Sequence, residues 1–311
     1  GLGIFASGPG QSHIFSVFNS LIADDLGISV SSVSTAYGLA TLMAAFGLPY
    51  VGVLIDRHGP RRVLIGVAIG LGLACLGFSQ VTGVITLGIG FAALRFLGQG
   101  SLMLGCNNVV AQWFNVRRGF ALSLMALGFA LSVAVHPPLA QWLISLSDWR
   151  TAWIWLGIMT WVVLLPAVYL AIHDRPESLG LNPDGAEDPS DGTTPVQRGS
   201  DFGMTRAQAM RTSTFWIIAV SLGSMSMLVT ALFFHQVTMF ESKGLSASFA
   251  ASLFPVSSIC MAVCMPLFGR SLDRVRTQYS FAAALVVMCV SLVAMAMVND
   301  PVSAVAYAII F

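Results

Sequence analysis

Long apolar stretches alternate with short polar breaks along the whole chain. The stretches lie at 3–23, 32–55, 63–80, 84–110, 119–144, 151–172, 214–240, 248–269 and 279–298, and a tenth begins at Pro301. Each is close to the roughly 20 residues that a helix needs to cross about 30 Å of hydrocarbon. The pattern predicts nine complete spans and part of a tenth. Because the chain has no initiating Met and ends within an apolar stretch, we expect a longer protein.

The composition excludes a soluble protein. Hydrophobic residues make up 56% and charged residues 9% of the chain, with a mean hydropathy of +0.81, whereas a soluble domain is about 25% charged. The alternating pattern of a membrane barrel is missing, so we predict an all-α membrane protein. A net charge of +1, with dispersed Lys and Arg, gives no basic face for nucleic acid. The cysteines follow no metal-binding spacing and are interpreted as packing residues.

One polar break differs from the others. Residues 173–213 are rich in Pro, Gly, Ser and Asp, which predicts a linker rather than a packed domain. It divides the chain into an N-terminal six-helix half, 1–172, and a C-terminal half, 214–311. Placing the 52–62 loop in the cytoplasm puts twelve of the 15 Lys and Arg residues inside, Arg150 and Lys243 outside and Arg95 within the membrane. By the positive-inside rule we predict a multi-pass protein of the cell (inner or plasma) membrane with a cytoplasmic N-terminus.

A charged motif occurs twice at corresponding places. "GVLIDRHGPRR" (52–62) follows the second span, and "GRSLDR" (269–274) follows the eighth. A carboxylate at the cytoplasmic end of a helix can accept hydrogen bonds from an Arg or a helix N-terminus when the two halves meet. We therefore interpret the repeat as a conformational latch; the alternative is a loop that only sets topology. The latch residues are Gly52, which permits close helix approach, Asp56, Arg57, Arg61, Gly269, Asp273 and Arg274.

The repeat, its position and "LRFLGQG" (94–100) resemble the major facilitator superfamily, whose two six-helix halves rock around a central site. The segments "ASGPGQSHIFSVF", "WFNVRRGFAL", "HPPLAQWLISLSDWR", "DRPESLGLNPDG" and "FFHQVTMFESKGLSASFAA" resemble its monocarboxylate porter and oxalate:formate antiporter-like branch. The resemblance implies twelve spans, of which this chain would hold nine and part of a tenth, and transport of small organic anions. Members often carry an Arg in helix eight, where this chain has Met265, which weakens the inference about the substrate class.

Polar side chains inside the spans are the candidates for substrate contact, because burying them in a bilayer is costly. Arg95 is the one charged residue placed deep in a span; the alternative is a structural arginine bonded to backbone carbonyls. Gln11 follows Gly8-Pro9-Gly10, which should bend the first helix and free backbone groups. The histidines can bond substrate or carry a proton, although a helix-to-helix hydrogen bond is the commoner role. The predicted substrate-binding residues are Gln11, His13, Arg95, Asn107, His136 and His235.

Absences narrow the function further. No Asp or Glu lies within a predicted span, and the chain has no P-loop and no clustered metal ligands, so we predict no enzyme activity, cofactor or metal. The sequence favours a secondary active transporter that moves a small organic anion, a monocarboxylate or dicarboxylate, by alternating access. The alternatives are a transporter of another small polar metabolite and a transporter-like sensor. The expected partners are the substrate, a coupled proton or counter-anion, and the lipid bilayer, with the protein as a monomer.

Overall fold

The computed structural model describes residues 1–114, 118–173, 206–274 and 277–311. Within these ranges all regular elements are helices. They are α1 (Leu2–Ala6), a 3-10 turn (Gly8–Gly10), α2 (Ser12–Phe15), α3 (Asn19–Leu26), α4 (Val30–His58), α5 (Pro60–Phe78), α6 (Val84–Leu94), a π-helical segment (Arg95–Leu102), α7 (Met103–Trp113), α8 (Arg118–Leu146), α9 (Trp149–Ala171), α10 (Arg206–Ala209), α11 (Ser213–Glu241), α12 (Ala247–Arg274), α13 (Thr277–Met297) and α14 (Pro301–Ile310).

Eight helical stretches in the described ranges are long and apolar enough to cross a membrane. They correspond to the second to ninth predicted spans, and the continuous stretch 84–113 contains α6, the π-helical segment and α7. The predicted all-α membrane fold is therefore confirmed. Most of the predicted linker falls outside the described residues, and its described end carries the four-residue helix α10.

The first predicted span is not one helix. Its apolar residues form α1, the 3-10 turn, α2 and α3 in succession. Pro9 has no backbone N–H to donate, and the flanking glycines stabilise a helix poorly. After them, Gln11 adopts an extended conformation, with φ −95° and ψ 151°. The bend expected at Gly8-Pro9-Gly10 is thus a complete break, which places Gln11 and Ser12 at a helix start inside the bundle.

Two exposed carboxylates cap helices at loops. Asp148 accepts hydrogen bonds from the backbone N–H groups of Arg150 at 2.8 Å and Thr151 at 2.9 Å, at the start of α9. Asp300 accepts one from the backbone N–H of Ser303 at 2.9 Å, at the start of α14. These bonds favour the ionised form. The backbone bond from Thr151 is the main cause that holds the pKa of Asp148 below its usual value, and the bond from Ser303 does the same for the pKa of Asp300.

A buried aromatic cluster fixes the broken first span against its neighbours. Phe15 of α2 stacks on Trp153 of α9 with ring centroids 5.6 Å apart, and meets Phe91 of α6 edge-on at 5.1 Å. Tyr37 of α4 lies edge-on to the same Phe15 at 5.4 Å. Phe15, Phe91 and Trp153 have 0% exposure. Such pairs add to the hydrophobic burial, so α2 has a defined position although it is only one turn long.

The two basic residues that the charge pattern predicts to lie outside, Arg150 and Lys243, both bond loop carbonyls. The Arg150 guanidinium donates to the carbonyl of Ser79 at 2.9 Å and pairs with Asp25 at 2.6 Å. Lys243 Nζ donates to the carbonyl of Val298 at 2.6 Å. Each cation therefore satisfies carbonyls left free where a helix ends. Both residues therefore have a structural role that is independent of the membrane orientation.

Candidate functional site

The break in the first span and the π-helical segment cross at two glycines. A Cβ added to Gly98 would lie 2.8 Å from the Cα of Gly10, and one added to Gly10 would overlap the carbonyl oxygen of Leu94. Any larger residue at either position would clash with backbone, so the close approach requires glycine at both. π-helical turns are rare in proteins, and those that occur are often found at functional sites. The crossing brings the carbonyl of Gly10 next to the first residue of the π-helical segment, Arg95.

Arg95 is buried between this crossing and α4. Its Nε donates to Thr41 Oγ1 at 3.2 Å and its Nη1 to the carbonyl of Gly10 at 3.4 Å. The Cζ atom lies 5.0 Å from the centre of the Tyr37 ring, within the range of a cation–π contact. The residue is 5% exposed, yet no carboxylate of the described chain pairs with it. The site therefore holds a buried positive charge whose partners are neutral.

Arg95 lines a cavity between α4, the π-helical segment and α11. This first lobe has a volume of about 490 Å³. An adjoining second lobe, of about 350 Å³, is bounded by α2, the π-helical segment and α11. Ser226 and Thr230 of α11 line both lobes. Among the described residues, neither lining contains an Asp or Glu. Other polar residues of the first lobe are Ser34, Tyr37, Thr41 and His235, and those of the second are Gln11, Ser12 and Gln99.

Amide and imidazole groups complete the cavity wall. Gln11 in the second lobe donates through Nε2 to Ser7 Oγ at 2.9 Å. Gln99 has a buried Oε1 without a hydrogen-bond partner in the described chain. His235 of the first lobe is partly buried beside Phe234, with ring centroids 5.1 Å apart. The wall therefore offers one cation, several hydroxyls and two amides. Arg95, Gln11 and His235 are the predicted site residues that the structure brings to this cavity.

His13 and His136 lie elsewhere. His13 Nε2 is 3.2 Å from Ser132 Oγ, and His136 Nδ1 is 3.1 Å from the same hydroxyl and 3.1 Å from the Ser132 carbonyl. Both rings are buried, and neither lines the two lobes. The carbonyl only accepts, so Nδ1 of His136 carries the proton of that bond. The His13 contact joins α2 to α8, which is the helix-to-helix alternative for that histidine, whereas His136 bonds Ser132 within its own helix α8.

The sixth predicted site residue, Asn107, is partly buried on α7 and lines neither lobe. Met265, where the resemblance implies an Arg, lies in a different cavity of about 490 Å³ between α12, α13 and α14. That cavity also contains Cys260, Cys264 and Met261. In this conformation neither position contributes to the wall around Arg95.

The predicted latch is only partly within the described residues. Asp56 is exposed near the end of α4 and forms no ion pair with the described part of the chain. Arg61 donates to the carbonyl of Tyr169 at 2.6 Å and so ties α5 to α9. At Gly52 a Cβ would meet no atom of the described residues within 4 Å, so none of them makes the close helix approach expected there. Gly269, Asp273 and Arg274 lie near the end of α12, where the structure describes the helix but not the surroundings of its residues. Arg57 is exposed, and the latch stays a prediction.

Sequence reasoning missed several lining residues. Tyr37 and Thr41 are four residues apart on α4, and Ser226 and Thr230 are four apart on α11, so each pair shares a helix face. Polar pairs at this spacing within apolar helices were the available signal. Gln99 lies inside the quoted "LRFLGQG" motif, but only the path of the π-helical segment shows that it faces the cavity.

Comparison with known proteins agrees with the fold. The profile of the Major Facilitator Superfamily matches residues 1–311, so the chain belongs to this family of membrane transporters. Its fold and family are not those of enzymes. The inward-facing, unoccupied crystal structure of a bacterial homologue of the human lysosomal transporter Spinster has a TM-score of 0.68 and 16% identity, over 99% of this chain and 70% of that one.

Two relatives carry names from the branch that the sequence motifs resemble. The oxalate:formate antiporter of Oxalobacter formigenes is 22% identical over 268 residues, which are 86% of this chain and 60% of the relative. Human monocarboxylate transporter 7 is 24% identical over 147 residues, 47% of this chain and 28% of the relative. The chain spans about 60% of the length of the oxalate:formate antiporter.

Proposed function

We propose that this protein is a secondary transporter that moves a small organic anion across the membrane by alternating access. The observation that carries the proposal is Arg95, a buried cation on the wall of a cavity with no carboxylate partner among the described residues. A buried charge is costly unless an opposite charge pairs with it. An anionic ligand in the first lobe supplies that charge.

The position of the cavity supports a transport site rather than a static anion site. It lies between the segments that precede the predicted linker and α11, which follows it. In the proposed organisation, residues 1–172 and the part from 214 onward are two halves, and their relative movement exposes the cavity to either side in turn. We place the protein in the cell membrane with its N-terminus in the cytoplasm. Twelve of the 15 basic residues then lie on the cytoplasmic side, as the positive-inside rule requires.

The relatives support an organic anion as the substrate. One is named as an antiporter of oxalate and formate, and another as a monocarboxylate transporter. An organic anion in this cavity can contact the Arg95 guanidinium, the hydroxyls of Tyr37 and Thr41, and the imidazole of His235. Guanidinium–carboxylate hydrogen bonds are among the strong ones in proteins. A proton or a counter-anion is the expected coupled species.

The test is uptake of radiolabelled carboxylates into proteoliposomes that contain the full-length protein, with and without a pH gradient. We expect saturable uptake of at least one organic anion. Arg95→Gln should weaken the binding of that anion by about tenfold or more, because a charge-assisted hydrogen bond contributes about 1.5–3 kcal/mol.

An arginine with a purely structural role would behave differently. Arg95→Gln would then lower the yield and the melting temperature, while the surviving protein kept its affinity. That outcome would remove the first lobe from the anion site. Binding of a carboxylate without any flux would instead favour a transporter-like sensor.

A further inference from the structure

A small pocket lies between α1, α8 and α9, apart from the cavity that Arg95 lines. Its volume is about 170 Å³, and it shares no lining residue with either lobe. Its described wall is apolar except at His136 and Thr160, and we call it the His136 pocket. An apolar cavity of about 150 Å³ can hold benzene. The volume of the His136 pocket is therefore sufficient for one six-membered ring.

The two polar residues of this wall differ in what they leave unpaired. The Thr160 hydroxyl donates its hydrogen to the carbonyl of Leu156 at 2.8 Å. Nδ1 of His136 carries the proton of its bond to the Ser132 carbonyl at 3.1 Å. In a neutral imidazole with the proton on Nδ1, Nε2 is an acceptor. This Nε2 atom has no hydrogen-bond partner in the described part of the chain.

Nε2 of His136 is unpaired but not sealed off. The unpaired side-chain atoms that are fully buried within the described ranges include Nδ1 of His13 but not Nε2 of His136. His136 is 7% exposed and lines this pocket but neither lobe. We infer that its free nitrogen faces the pocket.

The ring of His136 is held in place from two sides. A Cβ added to Gly8 would overlap three atoms of the ring, so the ring lies directly against the backbone of the broken first span. The ring of Phe5 lies with its centroid 4.9 Å away. The position of Nε2 is therefore set by packing and not by a ligand, which makes the acceptor preorganised.

Candidate occupants can be compared by what they leave unpaired. A water molecule needs two to four polar partners; it would find Nε2 and the Thr160 oxygen and would leave most of the apolar volume unfilled. A hydrocarbon fills that volume but leaves Nε2 unpaired. A carboxylate only accepts hydrogen bonds, and it brings a charge to a wall that has no described cation. A neutral ring with one hydroxyl fills the volume and donates to Nε2.

We propose that the His136 pocket binds a small neutral molecule of the phenol type. Its ring lies among the apolar side chains, and its hydroxyl donates to Nε2 of His136. An uncharged molecule enters a bilayer far more easily than an anion does, so this ligand can reach the pocket from the lipid phase. The site is separate from the cavity around Arg95 and does not depend on the organic-anion function.

The experiment is equilibrium dialysis of radiolabelled phenol, toluene and benzoate against the full-length protein in lipid nanodiscs, with binding to protein-free nanodiscs subtracted. We expect phenol to bind saturably at one site per chain. Toluene has the same shape without the donor and should bind about fivefold more weakly, as expected for the loss of one hydrogen bond. Benzoate should show no saturable binding at this site.

Two further measurements test the role of His136. In protein with nitrogen-labelled histidine, phenol should shift the NMR signal of Nε2 of His136, and toluene should not. His136→Phe keeps a ring against Gly8 and removes the acceptor. It should lower phenol affinity about fivefold and leave toluene affinity unchanged.

A matched pair of variants tests the location. Val163 lines the pocket, whereas Val162 is 67% exposed and does not. Val163→Phe should fill the pocket and weaken phenol and toluene binding at least tenfold, because the ligand loses most of its buried contact. Val162→Phe should bind both as wild type does.

Each outcome decides a part of the proposal. If toluene binds as tightly as phenol, or the Nε2 signal does not respond to phenol, the role of His136 is wrong. If Val163→Phe and Val162→Phe bind phenol equally, phenol lies elsewhere and the pocket is not its site. If benzoate competes with phenol, the neutral class of ligand is wrong. Should His136→Phe fail to fold, the comparison of ligands on the wild-type protein and the two valine variants still decide. Uptake of carboxylates remains a separate test of the organic-anion function.

Discussion

At the scale of single residues, Asp148 shows how one exposed carboxylate defines the start of a membrane helix. It accepts the backbone N–H groups of Arg150 and Thr151, and its second oxygen accepts the Thr151 hydroxyl at 2.7 Å. The pKa of Asp148 is lowered mainly by the Thr151 backbone bond. A folded-state pKa below that of the unfolded chain, about 3.9, means that the ionised carboxylate stabilises the fold above that pH. The contribution is lost as the pH falls through the folded-state pKa.

Asp148→Ala should therefore destabilise the protein at pH 7 by about 1 kcal/mol, a typical loss for an N-cap. The difference from wild type should shrink below a pH of about 4. The measurement is the melting temperature of the solubilised protein, followed by intrinsic fluorescence across this pH range. Asp148→Asn is the control, because Asn caps helices well and does not titrate. Equal melting temperatures for Asp148→Ala and wild type at pH 7 would show that the cap has no energetic role.

The sequence identified some of the cavity residues and not others for physical reasons. Arg95 is conspicuous because a charge within a span is costly, and Gln11 because it follows a helix-breaking Gly-Pro-Gly. His13 and His235 were indistinguishable, since each is a lone histidine in an apolar helix. Only the packing of the helices decides that His13 is buried against Ser132 while His235 faces the cavity.

At the scale of the elements, the crossing of Gly10 and Gly98 holds the cavity together. It joins the broken first span to the π-helical segment and sets the Arg95 Nη1 atom 3.4 Å from the carbonyl of Gly10. The site therefore depends on a backbone contact as much as on its side chains. A small change in this contact moves the cation relative to Tyr37 and Thr41.

Gly98→Ala should test this dependence. The added Cβ would lie 2.8 Å from the Cα of Gly10 and 3.2 Å from the carbonyl oxygen of Ser7, so backbone must move. We expect a destabilisation of about 1–3 kcal/mol, as for other overpacked cores, together with weaker anion binding. Gly88→Ala is the matched control on α6, where a Cβ meets nothing within 4 Å. It should leave stability unchanged or raise it by up to about 1 kcal/mol. Similar melting temperatures for the two variants would contradict the crossing.

The element boundaries show which parts of the fold the length of an apolar stretch can locate. Apolar length alone located the second to ninth spans, because a bilayer fixes the length of every helix. The same measure overlooked the division of the first span into separate helices and the π-helical segment within 84–113. A π turn changes no composition, yet it rotates the residues that follow it. That rotation decides which face Gln99 presents, so the second lobe was not foreseen.

At the scale of the whole molecule, the hydrogen bonds between α11 and the first span lie towards one side. Asn19 Nδ2 donates to the carbonyl of Phe234 at 2.6 Å, and the backbone N–H of Val237 donates to Ser16 Oγ at 2.9 Å. Tyr37 stacks on the Phe234 ring, with centroids 4.1 Å apart. In the proposed orientation this is the outer side. Asp56, at the opposite end of α4, has no described ion-pair partner. We infer that these bonds hold the outer side of the cavity closed, and that the Asp56 latch belongs to the alternative state.

Two substitutions should therefore shift the conformational equilibrium in opposite directions. Asn19→Ala removes a bond of the outer-closed state, whereas Asp56→Asn weakens the state in which the inner side is closed. Each hydrogen bond is worth about 1 kcal/mol, so we expect shifts of about fivefold.

The reporter is a cysteine at Ser34, on the wall of the first lobe near the start of α4, in a background without native cysteines. Labelling by an impermeant thiol reagent added outside intact cells should be faster in Asn19→Ala and slower in Asp56→Asn. The double variant should return towards wild type, because independent effects on one equilibrium add. If Asp56→Asn labels and transports at the wild-type rates, its loop only sets topology; if Asn19→Ala labels no faster, its bond to α11 is not part of the outer closure.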